Sequence, residues 1–133
     1  MSFETNVFIN CPFDDDYTEL QSNIAFTLVY LGFNPLVASL VKDSGQVRLA
    51  RIMEMISKSK YSVHDISRLQ SIEKGDFFRL NMPLELGIDF GARQFSKALS
   101  EKRFLILASR KHDYHKAISD LSGCDIESHN DNA

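Results

Sequence analysis

Two periodicities divide the chain. Residues 6–10 (NVFIN) form a short β-rich run closed by Pro12, which lacks the N–H that a strand ladder needs. Tyr17, Leu20, Ile24, Leu28 and Leu31 then recur at three- and four-residue spacing, the mark of an amphipathic helix. Asp14, Asp15 or Asp16 suits its N-cap, and Gly32 stands where a helix commonly ends in a left-handed residue. Residues 33–38 predict a second strand, and 42–46 a polar loop. Leu49, Ile52, Met53 and Ile56 mark a second helix, with Arg48, Arg51 and Lys58 off the apolar stripe. Met55 reads as the flank of that helix.

Residues 61–66 (YSVHDI) predict a third strand, followed by a charged loop over 68–79. Leu84, Ile88, Ala92 and Phe95 predict a third helix, with Asn81 as its N-cap and Pro83 in its first turn, where a missing N–H costs little. Asp89 and Arg93, one turn apart, read as a surface ion pair. Residues 103–108 (RFLILA) are nearly continuous apolar sequence, as expected of a buried parallel strand. A short helix over 112–121 and a fifth, edge strand over 125–127 follow, and the polar tail 128–133 is expected to fray.

Strand–helix alternation at this spacing requires right-handed crossovers and a mostly parallel sheet. Five strands with helices on both faces give an α/β, flavodoxin-like three-layer sandwich in the order 2-1-3-4-5. The whole chain, residues 1–133, reads as one domain with an ordered core over about 5–127. No helix follows the last strand, so one face or edge is expected to be bare, as a contact for another copy or as the mark of a shortened domain.

Composition narrows the class. A chain of 133 residues that is 44% apolar and 25% charged is globular rather than disordered. A net charge of −3 gives no electrostatic reason to expect nucleic acid or an anionic membrane as partner. The longest apolar run falls far short of the roughly 20 residues of a membrane span. The opening MSFETN has neither the basic nor the apolar part of a signal peptide, and Cys11 and Cys124 make no disulfide framework. A cytoplasmic location is therefore expected.

In open α/β sheets the ligand crevice lies beyond the carboxyl ends of the strands, where the strand order reverses. Here that means the loops after strands 1 and 3. Strand 1 delivers Asn10, Cys11, Pro12 and Phe13; strand 3 delivers His64, Asp65, Ser67 and Arg68. The third helix brings Glu85 near the end of its first turn, where the helix dipole favours a carboxylate. Many first-turn glutamates do no more than that. Glu85 differs in being flanked by Leu84 and Leu86, and in lying near Gly87, which leaves room for a ligand or another backbone to approach. Other constellations fail. There is no GxGxxG and no GxxxxGK[ST]. A Cys-x5-Arg phosphatase loop starting at Cys11 would need arginine where Tyr17 stands. His112, His115, Cys124 and His129 match no standard zinc spacing, so no metal is expected.

Three segments carry a resemblance. VFINCPF (residues 7–13), followed by acids, resembles the opening strand and first loop of bacterial TIR-like domains. Residues 52–67, a helix running into SKSKYSVHDIS, resemble their second helix and third strand. NMPLELG (81–87) resembles the segment holding the glutamate of TIR NAD hydrolases, and also the glutamate segment of nucleoside 2-deoxyribosyltransferases. The likeness spans residues 5–110 or so. It implies cleavage of an N-glycosidic bond, with Glu85 as the catalytic carboxylate, Asn10 to Phe13 lining a nucleotide pocket, and Asp65 as the acid after the third strand of the transferases. Asn10 or Ser67 would meet ribose hydroxyls and Asn81 would face the substrate. NAD enters as substrate, with no resident cofactor. A homo-oligomer and a partnership in antiphage defence, as an effector, are implied as well. Two departures stand out: Asn81, Met82 and Pro83 replace the Asp-Gly and small residues usual in the transferases, and the chain has no tryptophan, which many TIR domains carry before their glutamate region.

The two families ask for different proton inventories. Nicotinamide leaves NAD as a neutral base from a cationic state and needs no acid. A purine leaving a nucleoside does, and Asp65 is then the candidate. A third expectation, from another class, is a non-catalytic nucleotide-binding or assembly module.

Overall fold

The computed structural model describes residues 2–38, 47–71, 73–75 and 79–133. The polar loop expected over 42–46 lies outside them, as do residues 72 and 76–78 of the charged loop. The chain runs β1 (Asn6–Asn10), α1 (Thr18–Tyr30), β2 (Asn34–Val37), α2 (Arg48–Ser57), β3 (Tyr61–Asp65), α3 (Asn81–Phe95), β4 (Arg103–Ala108) and β5 (Ile126–Ser128). All five strands pair in parallel, in the order β2-β1-β3-β4-β5. This is the flavodoxin-like arrangement that the alternation predicts. No helix among the described residues is long and apolar enough to cross a membrane.

Side chains alternate between the faces of each strand, and the packing follows that period. Phe8 of β1 packs with Ile52, Met55 and Ile56 of α2 and with Ile88 and Ala92 of α3. Its neighbour Ile9 packs with Leu20, Ile24 and Leu28 of α1 on the other face. Beyond Leu28 a groove bounded by Phe33, Val63 and Leu105 stays open on the α1 face. The run 103–108 is therefore not buried throughout. Ile106 and Ala108 are buried, whereas Leu105 is 46% exposed. This open stretch lies over β1, β3 and β4 and not at β5, the last strand, beside which the sequence predicts a bare face or edge.

Helix ends show which local expectations hold. At the end of α1 the Phe33 N–H bonds the Leu28 carbonyl (2.9 Å), the Gly32 N–H bonds that of Val29 (3.0 Å), and Gly32 has φ +85°. This is a complete Schellman motif, and Gly32 supplies the left-handed residue it requires. A side chain there would meet no neighbour, so Gly32→Ala should cost only the backbone strain, about 1 kcal/mol, read as a lower urea midpoint with unchanged slope. The predicted N-caps fail. A 3-10 turn, Asp15–Tyr17, leads into α1 and no aspartate side chain caps it. The carboxylate of Asp14 goes to Arg68 instead. Asn81 is the first residue of α3 rather than its cap.

Two apolar stripes are also shifted. In α2 the buried row is Ile52, Met55 and Ile56, and Met53 is exposed. In α3 the buried row is Met82, Glu85, Leu86 and Asp89, while Leu84 and Phe95 are exposed. That row keeps helical spacing, but half of it is acidic. Two 3-10 turns, Asp113–Lys116 and Ser119–Leu121, replace the short helix expected over 112–121. The C-terminal tail is tied down, not frayed: the His129 N–H bonds the Ala108 carbonyl (3.1 Å) and its half-buried ring bonds Asp65 (2.8 Å).

Candidate functional site

The strand order reverses between β1 and β3, and Glu85 lies against that point. Asn10, the last residue of β1, is buried. Its amide donates to the Met82 carbonyl (2.8 Å) and to His64 Nδ1 (2.9 Å). The first of these bonds fastens the opening turn of α3 to the sheet, three residues before Glu85. The second fixes the ring of His64, Asn10's register partner on β3.

Glu85 is only 6% exposed and borders a cavity of about 270 Å³ with Arg48, Leu49, Ile52, Asn81 and Leu84. Burial pushes its carboxyl up to about 7, and the Arg48 charge acts weakly against that. The carboxylate makes no hydrogen bond to another described residue. An acid without fixed partners in a concave, largely apolar pocket is costly to keep, and such groups concentrate at functional sites. Arg48 stands over the Phe13 ring, 5.3 Å from its centroid, which brings the first loop to the same pocket.

The other predicted residues divide into two groups. Asn81 lines the Glu85 pocket, and Phe13 meets its Arg48 without lining it. Asn10 supports it from behind. Cys11 and Pro12 are fully buried. Burial first, then the charges of Asp65 and Glu85, pushes the Cys11 thiol up to about 12, so it remains protonated and is no nucleophile.

Asp65 and Ser67 lie outside the Glu85 pocket and form a hub of their own. The Asp65 carboxylate, fully buried, accepts from the Tyr17 hydroxyl, the Ser67 N–H (2.8 Å), the Ser67 hydroxyl and His129 Nε2 (2.8 Å). Burial, reinforced by the Asp65 charge, pushes the Tyr17 phenol well above its ordinary range. Ser67, His129 and Asp65 are not a nucleophilic triad. His129 Nδ1 accepts from the Asp131 N–H (3.0 Å), so the proton sits on Nε2, the nitrogen facing Ser67 (3.0 Å). That nitrogen has no lone pair to take the serine proton. Arg68 spans the hub's outer side to Asp14 (3.1 Å), which holds the Asp14 carboxyl below its usual range.

The sequence shows Tyr17 only as part of the α1 stripe, Arg48 only as a polar-face residue of α2, and His129 only in a metal set that it rejects; none is expected in a site. Asp89 was misread. It is fully buried, meets Lys102 (3.2 Å) and His64 (3.0 Å), and accepts from Ser62. Arg93 instead stands over Phe90 and Phe104. Among the described residues no group of three or more His, Cys, Asp and Glu is placed to hold a metal ion. No family model matches the chain, and no curated protein matches it significantly.

Proposed function

We propose that the chain is a TIR-like enzyme that cleaves the nicotinamide–ribose bond of NAD, as hydrolase or cyclase, with Glu85 as the catalytic carboxylate. The observation that carries this reading is the buried Glu85 at the strand-order switch, with no hydrogen bond to any other described residue. NAD brings a cationic nicotinamide ring. Its positive charge beside Glu85 favours the ionised carboxylate on binding. As the C–N bond breaks, its electron pair goes to the nicotinamide nitrogen and positive charge moves to the ribose ring. A fixed carboxylate stabilises that oxocarbenium character more than it stabilises the ground state. On this reading Asn81 and Arg48, which line the pocket, and Phe13 beside Arg48 would hold the remainder of the nucleotide.

Deoxyribosyl transfer is the weaker reading, because a departing purine needs a proton. Asp65 accepts four hydrogen bonds and offers none. The oligomer belongs to the same proposal: in the C-terminal half of α1 Phe26 (71% exposed) and Tyr30 (81% exposed) stack on the outer side beside exposed Val29. A cytoplasmic role as a defence effector rests on the resemblance.

Incubation with NAD, and separately with deoxynucleosides, at low and high protein concentration tests the proposal. Chromatography with mass spectrometry should show nicotinamide, with ADP-ribose marking hydrolysis and its cyclic form marking cyclisation. Free base from deoxynucleosides would move the reading to the transferase. No product from either would leave a binding or assembly module.

A further inference from the structure

A second, larger cavity of about 520 Å³ lies beyond the carboxyl ends of β3 and β4 and shares no lining residue with the Glu85 pocket. Its size suits a small molecule. One wall is apolar: Ile66, Leu69, Ala108 and Tyr114. The rim carries Arg68, Arg110 and Lys116, with Asp113 and Asp131 as the acids. Arg68 is occupied, paired with Asp14 (3.1 Å) and near Asp131 (3.6 Å). Arg110 and Lys116 form no ion pair among the described residues, so their charges remain available to a ligand. The rim loops also hold uncommon backbone. His112 (φ 73°), Asn130 (φ 52°) and Asp131 (φ 56°) are left-handed without being glycine, a conformation that costs energy and persists only when its surroundings enforce it. His112 leads into the 3-10 turn Asp113–Lys116, which brings Tyr114 to the wall and Lys116 to the rim.

We propose that this cavity is a second ligand site, distinct from the Glu85 pocket, that takes a phosphate-bearing small molecule of the nucleoside monophosphate class. The phosphate would bridge Arg110 and Lys116 in charge-assisted hydrogen bonds, and the planar base would lie on the apolar wall. The site does not depend on the glycosidic reading. Its ligand would rest on Ser67 and Arg68, which join the Asp65 hub and Asp14.

Calorimetric titration at constant ionic strength, with AMP and with inorganic phosphate as probes, tests the site. AMP should bind the native chain and Glu85→Gln equally. Arg110→Ala with Lys116→Ala should weaken it at least about tenfold, because the phosphate loses both of its charged partners. Both replaced residues are exposed, so the melting temperature should not move. Ala117→Trp, an uncharged change at an exposed lining position, should also block AMP. Phosphate alone should compete with AMP and bind more weakly. Absence of AMP binding, binding indifferent to these replacements, or loss of binding in Glu85→Gln would overturn the proposal.

Discussion

Glu85→Gln is expected to be catalytically dead and yet more stable than the native protein above neutral pH. The loss of turnover should be at least about 10²–10³-fold, the scale on which a preorganised electrostatic group contributes. The gain in stability comes from the same burial. The carboxyl titrates near 4.5 in the unfolded chain and near 7 in the fold. Below pH 4.5 it is neutral in both states, and its ionisation costs the fold nothing. Between 4.5 and 7 the unfolded chain releases its proton while the fold retains it, so native stability falls as pH rises. Above 7 the cost is complete, about 3 kcal/mol. Glutamine never ionises. Melting curves of the two proteins should therefore nearly coincide at pH 4 and separate by several degrees at pH 8, with Glu85→Gln the higher. On the proposed reading kcat/KM of the native protein for NAD should climb with unit slope up to about pH 7 and then level, because the free protein must first lose that proton. Parallel melts at every pH would mean that Glu85 is not held in a desolvated site.

The sheet was legible because its signals are local. Five β-rich runs, the spacing between them and the chirality of crossovers leave few arrangements, and Gly32 marked the end of α1. The helix faces were harder to read. A search for apolar recurrence passes over a row whose members are Met82, Glu85, Leu86 and Asp89, because two acids interrupt it. The same search chose Met53 over Met55, two residues apart in the chain and opposite in burial. Glu85 stood out because its flanking leucines made it anomalous. Arg48 did not, since its part depends on α2 docking beside α3. The Asp65 hub joins residues 48 positions upstream and 64 downstream, and no local pattern announces such a closure.

The polar network one turn beyond Glu85 should show the largest stability effects. Lys102 and Asp89 are both fully sealed from solvent and lie 3.2 Å apart. The Lys102 ammonium also donates to the carbonyls of Ile56 (2.9 Å) and Ser59, at the C-terminal end of α2. Helix ends leave such carbonyls without intrahelical partners, and a cation suits their dipole. Asp89 in turn takes bonds from Ser62 and His64. Burial pushes the His64 imidazole down, so the ring is neutral. Nδ1 accepts from Asn10, and the proton is on Nε2 toward Asp89. Removing one charge strands the other in the interior. Lys102→Met or Asp89→Leu alone should cost about 3–5 kcal/mol in urea unfolding. The double replacement should cost clearly less than the two together, because no lone charge remains. Simple additivity would mean that the pair is not coupled. The doubly apolar protein should nevertheless lose turnover of NAD. Directional bonds from Lys102, His64 and Ser62 set the rotation of α3 about its axis, and Glu85 lies on the same buried row as Asp89. An apolar contact at position 89 would hold the helix against the sheet without fixing where its carboxylate points.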